Sequence, residues 1–554
     1  MNKGIHVLMG LFVVVLVTLI AHFFSWRFDL TEDKRYTLSQ IATETTQGFD
    51  SPITVDILLD GKLPAEFAFL QKETVVLLEQ FQSKNRNVRY NLVNPLEDPS
   101  VRDATISNLQ QLGLKPASVT IEEDGKTTQE LLFPWAMVNH QNKTVKVPLL
   151  KNKLGSTTEE RINNSVQNLE FAFTDAFKKL QLIEKKKIAI LKGNGQLEDR
   201  YLADFLTSLK DYYNIGAITL DSVEGNPPKV LEQLQAFDLA LVAKPTEAFS
   251  EKEKYILDQY VVQGGKSLWL IDGVAMELDS LFNESGSNVA VKRDLNLDDF
   301  FFKYGLRINP VLINDLYNTP IILANGEANE SQYNPLPWVY HPMVFSKNNH
   351  PINTNIEALR LLFPNAIDTL GNANKKTVLL QSSPLSKIEG VPKQIGFDML
   401  NTPLNKDDYP PGVGHAMAVL IEGELKSAYT NRVKPIELPN DLEQGKANKM
   451  IVIADGDIIK NQLQQGRPLE LGFDKWTSNF YGNKEFLTNC VNYLLDDDGL
   501  INIRSKNVSI PLLDPKKVIE SKTKWQLLTI GLPVVLVIIS GLFRGYVRKR
   551  RFAA

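Results

Sequence analysis

The residues with the chemistry to form a site fall at four places where apolar, β-branched runs give way to polar ones. These are Gly193-Asn194-Gly195, Lys244-Pro245, Asp272 and Asp455-Gly456-Asp457. If each run is a strand of a parallel sheet, all four lie at its carboxyl edge, where open α/β sheets bind ligands. The glycine pair offers backbone N–H groups that could take an anion at a helix start. Glu198 stands where a dinucleotide fingerprint needs its third glycine, so a plain strand-to-helix turn is the simpler reading. Asp455 and Asp457 with Asp272 could hold a divalent cation and activate water, although such carboxylates more often cap a helix or close a turn.

Other chemistries fail on spacing. The six histidines, His6, His22, His140, His341, His350 and His415, show no H-x-x-x-H or H-E-x-x-H pattern. No G-x-S-x-G elbow occurs. The run Gly264-Gly265-Lys266-Ser267 precedes a strand, whereas a P-loop follows one. The lone cysteine, Cys490, lies inside an amphipathic helix pattern between Phe486 and Tyr493, where a nucleophile has neither strained turn nor base. It reads as a small core residue and excludes an intramolecular disulfide. No catalytic residue, metal or cofactor is expected, and the formal net charge of −4 gives no reason to expect nucleic acid.

The elements that would position these residues alternate clearly. KKIAILKGNG, IGAITLD, DLALVAKP and KSLWLID read as strands separated by helices, with a capping box at Ser250 and Glu253 opening the last helix. Four such units predict a doubly wound parallel sheet in a domain spanning 183–505. KMIVIADGDII resumes the pattern far downstream, so 275–448 reads as a large insertion carrying strand-like pieces at Thr377–Leu385 and Ala416–Tyr429. Upstream, PITVDILLD, a helix with Phe67, Leu70, Val75, Leu78 and Phe81 near one face, and NVRYNLVNP form a βαβ unit. Strands at Ala117–Glu123, Glu130–Val138 and Lys143–Leu149 complete a small α/β domain of thioredoxin size at 27–155. The polar segment 156–182 is expected to be a connecting helix.

Two apolar stretches frame these domains. Ile5–Phe24 and Trp525–Phe543 each hold about the ~20 residues a membrane-crossing helix needs, and neither contains Lys, Arg, Asp or Glu. The first is longer than a signal-peptide core and lacks an A-x-A-like site, so an uncleaved anchor is expected at 5–24. Trp525 marks one interface of the span at 525–543, and the basic tail at 544–554 (Arg544, Arg548, Lys549, Arg550, Arg551) marks the cytoplasmic side. Two crossings then place both termini in the cytoplasm and roughly 490 residues across the membrane.

RFDLTEDKRYTLS, PITVDILLDGKLPAEF, LEFAFTDAFKKL, FSEKEKYILDQYVVQGGKSLWLID, AVLIEGELKSAYTNR, VIADGDIIKN and NKEFLTNCVNYLLDDDGLINIRSK, in this order, resemble the gliding-motility-associated ABC-transporter auxiliary proteins of the GldG type. The resemblance implies a non-catalytic subunit in the inner membrane of a Bacteroidota-type bacterium. Its partners would be a separate ABC permease and a separate cytoplasmic ABC ATPase, with a further periplasmic or cell-envelope partner. It also implies a thioredoxin-like piece followed by a class I glutamine-amidotransferase-like piece, the latter also found at the start of an intraflagellar-transport protein. Relatives often carry histidine after Gly193, then Gly and Glu; here Asn194, Gly195 and Gln196 follow, and no role of that histidine or acid transfers. The alternative is a periplasmic solute- or glycan-binding receptor of the same transporter.

Overall fold

The computed structural model describes residues 37–123, 126–151, 156–182, 184–325, 332–346, 348–496, 499–505 and 521–552. The stretch expected to span the membrane at Ile5–Phe24 lies outside them. The chain forms two compact units, Met1–Asn507 and Val508–Ala554.

The first unit begins with α1 (Gln40–Gln47), whose N-cap Ser39 accepts the Ala42 N–H. Strand β1 (Ile53–Ile57), helix α2 (Ala65–Lys84) and β2 (Val88–Leu92) follow, with β1 and β2 parallel. After helix α3 (Arg102–Gln111), β3 (Ala117–Glu123) and β4 (Lys126–Leu132) make a separate hairpin. The run expected as one strand over Glu130–Val138 is divided at Phe133-Pro134. Proline breaks the ladder, and the chain restarts as β5 (Trp135–His140), which pairs with β1 and with β6 (Lys143–Pro148). The resulting sheet has the order β2-β1-β5-β6.

The segment expected to be a connector is α4 (Thr158–Gln181), opened by a capping box between Thr157 and Glu160. It does more than connect. Leu169, Phe173, Phe177 and Leu180 share one core with Ile53, Val55 and Ile57 of β1 and with Leu70, Leu78 and Phe81 of α2.

The larger sheet is built from β7 (Lys187–Lys192), β8 (Asn214–Thr219), β9 (Leu239–Ala243) and β10 (Lys266–Leu270), all parallel. Its central strands are apolar on both faces because helices cover both. Ala189, Leu191, Ala240, Val242 and Trp269 meet α6 (Pro227–Gln235) and α7 (Glu251–Val262). Ile188, Ile190, Leu239, Leu241, Leu268 and Leu270 meet α5 (Asp199–Leu209) and α9 (Asn483–Leu495). A short helix, α8 (Asp298–Tyr304), adds Phe300, Phe301 and Tyr304 to the first of these layers.

The stretch 275–448 is not simply inserted. It contributes β13 (Lys375–Gln381) and β14 (Ala416–Lys426), which extend the main sheet antiparallel beyond β15 (Gln444–Ile453). The full order is β13-β14-β15-β10-β9-β7-β8, with β15 parallel to β10. The same stretch also holds the hairpin β11 (Asn318–Asn325) and β12 (Gln332–Val344).

In the second unit, the helix over Lys522–Arg550 contains an 18-residue window of mean hydropathy 2.2, none of it buried; among the described residues it is the one helix long and apolar enough to cross a membrane. A π turn at Leu527–Gly531 precedes Pro533, whose missing N–H cannot close an α-helical bond to the preceding turn.

Candidate functional site

In the strand order β8-β7-β9-β10-β15, connections leave β7 toward opposite sides, and that reversal normally opens a ligand crevice between β7 and β9. Here it is closed. The Asn194 carbonyl accepts the N–H groups of Thr246 and Glu247 at 3.0 and 3.1 Å, and Leu197 N–H reaches the Ala243 carbonyl at 3.2 Å. Gly193 and Gly195 have φ of +110° and +67°, which side-chain-bearing residues adopt only with strain. A Cβ on Gly195 would lie 2.1 Å from the Thr246 hydroxyl. Asn194 itself is buried, held by Gln196 and Glu253. The glycine turn therefore ties the two loops together through the Asn194 carbonyl.

The three aspartates do come together, around a residue that sequence spacing marked only as a strand end. Lys244, 3% exposed, donates to Asp457 Oδ2 at 2.6 Å and Glu277 Oε2 at 2.7 Å, and lies 3.5 Å from Asp272 Oδ2. Its φ of +52° places it in the left-handed region, at a cost of roughly 1–2 kcal/mol that the ion pairs must exceed. Gly456 permits the approach, since a Cβ there would stand 2.5 Å from Lys244 Cγ. Asp455 is wholly buried and accepts the N–H groups of Asp457 at 2.8 Å and Leu362 at 2.7 Å. Asp272 accepts the Gly456 N–H at 2.5 Å.

Burial sets the protonation pattern. It pushes the Asp455 carboxyl well above the usual carboxylate range, and the charges of Asp272 and Asp457 push it further. Burial also raises Asp272 to about 6, against the opposing pull of Lys244. Burial alone would lower Lys244, but Asp457, Asp272 and Glu277 more than reverse this and keep its ammonium charged. With Asp455 protonated, the carboxylates of Asp272, Asp457 and Glu277 face Lys244, Arg293 (3.6 Å from Glu277) and Lys460 (3.7 Å from Asp457). Charge is balanced within the cluster.

Carboxylate oxygens of Asp272, Glu277 and Asp457 lie within 4.8 Å of one another, a spacing that could hold a metal ion. The Lys244 ammonium occupies the space between them. A dication would have to displace a buried cation held by two short hydrogen bonds, so this donor set is matched to the lysine.

Asp272→Asn tests the assignment. Asp272 titrates near 6 in the folded chain, above the ~3.9 of an unfolded aspartate. The native state therefore keeps a proton that the unfolded chain loses, and stability falls as pH rises from about 4 to about 6. Asparagine retains an acceptor for the Gly456 N–H and removes this titration. Between pH 4.5 and 7, the urea-unfolding free energy of the variant should fall less than that of the parent, by on the order of 1–2 kcal/mol. Parallel profiles would refute the raised value.

Outward from the cluster, Asp457, Glu277 and Lys460 also line a cleft of about 510 Å³. Its further wall carries Tyr333 and Trp476, whose rings stack at 6.2 Å and 26° and are 62% and 57% exposed. Sequence reading missed Lys244 as the hub, Glu277 and this aromatic wall. Only Lys244 left a local signal, a charge ending the apolar run LALVA. Cys490 is buried among the apolar side chains of α9, and burial pushes its thiol far up, away from nucleophilic use.

Comparison with known proteins adds a family. Residues 185–490, over half of the chain, match the family described as an ABC-type uncharacterized transport system, and residues 32–139 match a domain of unknown function, DUF7088. No curated protein matches. A solved chain described as "mmIFT52 N-terminal domain" aligns at 13% identity and a TM-score of 0.32, covering 56% of this chain and 99% of that one.

Proposed function

The chain belongs to the ABC-type uncharacterized transport system family as an auxiliary protein, and from that premise we propose a non-catalytic, membrane-anchored subunit that couples an ABC permease and ATPase to a partner outside the cytoplasm. The observation that carries the non-catalytic part is the Lys244 cluster. Within this cluster, Glu277 and Asp457 accept from the Lys244 ammonium, and Asp455 and Asp272 accept from backbone N–H groups.

The helix over Lys522–Arg550 supports anchoring, and the arginines that follow the apolar stretch favour a cytoplasmic C-terminus. A second crossing at 5–24 would return the N-terminus to the same side and leave the main body in the periplasm of the inner membrane. A role in gliding motility follows from the resemblance of the motifs quoted above. The order β2-β1-β5-β6, with one parallel and two antiparallel pairings, is consistent with a thioredoxin-like N-terminal piece, and the larger sheet with an amidotransferase-like one.

Affinity purification from detergent-solubilised membranes tests the proposal. A multispanning permease and an ATP-binding subunit should co-purify in fixed ratio with this chain. Recovery of the chain alone, under conditions that preserve other ABC complexes, would overturn the accessory role.

A further inference from the structure

We propose that the cleft beside the Lys244 cluster is a docking site for an extended peptide, which adds as a strand to the free edge of β11. This goes beyond the accessory role and does not depend on it. Five consecutive residues of β11, Pro320 to Ala324, line the cleft. Successive side chains of a strand point to opposite faces, so a face-on strand would contribute only every second residue. An unbroken run is what β11 gives when its edge, as well as the face it shares with Tyr333, borders the cleft.

That edge is unpaired. β11 pairs with β12, and no other strand joins it among the described residues. The pairing identifies which backbone groups are left over. Ile322 lies opposite Pro335 and Pro320 opposite Pro337. Directly opposed residues that hydrogen-bond exchange both N–H groups, which proline cannot do, so these are the non-bonded pairs. Ile321 and Leu323, opposite Leu336 and Asn334, direct their amides to β12. Ile322 and Ala324 therefore direct N–H and C=O into the cleft, and Pro320 its C=O. No bond outside the ladder meets them among the described residues.

A row of alternating main-chain donors and acceptors is complementary to another main chain in extended form, which identifies a peptide as the occupant. Five residues span about 17 Å of strand, enough for two or three ladder positions. Beside this edge stand Tyr333, directly across from Ala324, and Trp476 stacked on it. Exposed rings so placed suit a peptide with an aromatic or aliphatic side chain at its centre.

The test uses full-length protein in detergent micelles and fluorescein-labelled blocked pentapeptides, acetyl-Thr-Val-Z-Val-Thr-amide with Z as Tyr, Phe or Leu. Fluorescence polarisation should show saturable binding. Ile322→Pro removes one edge donor and leaves the β12 ladder intact, and it should weaken binding about tenfold or more. Trp476→Ala should weaken the Tyr and Phe peptides more than the Leu peptide. Because Ile322→Pro could perturb the hairpin, N-methylation of the peptide gives an independent arm: methyl groups on alternate amides facing β11 should abolish binding to the unmodified protein, and those on the intervening amides should not. Absence of saturable binding by all three peptides up to about 1 mM would overturn the proposal. So would equal binding of both N-methylated series, or displacement of the peptides by an oligosaccharide alone. Protection of the Ile322 amide from hydrogen exchange before peptide is added would also overturn it, since another part of this chain or a second copy would then hold the edge.

Discussion

Lys244→Met is expected to lower the unfolding free energy by about 3–5 kcal/mol at pH 7.5. Methionine nearly fills the lysine volume, so little of the loss would come from a cavity. The loss comes from the carboxylates of Asp457 and Asp272, 2.6 and 3.5 Å from the ammonium, which would be left buried beside one another, with half-buried Glu277, 2.7 Å from the ammonium, next to them. The pH dependence separates this cause from a packing defect. Burial raises Asp272 to about 6 and pushes Asp455 well above the usual carboxylate range. At pH 5 protons can replace the missing cation, and the difference between variant and parent should shrink. Urea unfolding at the two pH values reads both quantities. A loss under 1 kcal/mol, or one that grows in acid, would refute the cluster as described.

Phe177→Ala is expected to cost a further-reaching 3–5 kcal/mol, roughly what truncation of a fully buried aromatic removes. Phe177 is 0% exposed on α4, with its ring edge-on to Phe49 at 5.8 Å and to Phe81 at 5.1 Å. If α4 only linked two domains, the substitution would change little. Because α4 supplies one wall of the first core, the variant should lose the N-terminal sheet at lower urea concentration than the parent. Unfolding followed at the α2–α4 interface, with midpoint unchanged, would return the helix to the role of connector.

These two residues also mark how far the sequence could be read. The strands β7, β9 and β10 are legible because helices bury both of their faces, which forces an uninterrupted apolar run. The capping box at Ser250 is legible because its cause lies within a few residues. β13 and β14 were visible as strands but not as members of the main sheet. Their partners lie far along the chain, and antiparallel pairing at that range leaves no local trace.

The site divides in the same way. Asp272, Asp455 and Asp457 stand at strand ends and could be picked out by position. Lys244 stands at a strand end too, but its role as ion-pair partner of Asp272, Glu277 and Asp457 could not be read, because these acids lie 28, 33 and 213 positions away. Gly193 and Gly195 carry an anion-site signature, yet their φ values serve a turn that Asn194 closes against Thr246. Its polar, helix-forming composition marked 156–182 as a helix. It did not reveal how much of its apolar face a second domain element would cover.

The prolines of β12 have one more effect. Pro335 and Pro337 turn amide-less positions outward on the side away from β11, so the two rims of this hairpin are unequal. A strand recruited on the β11 side finds a template, whereas a newcomer on the opposite rim at those positions does not. Growth of a stacked ribbon needs both rims, and this hairpin can therefore terminate such a ribbon but cannot propagate one.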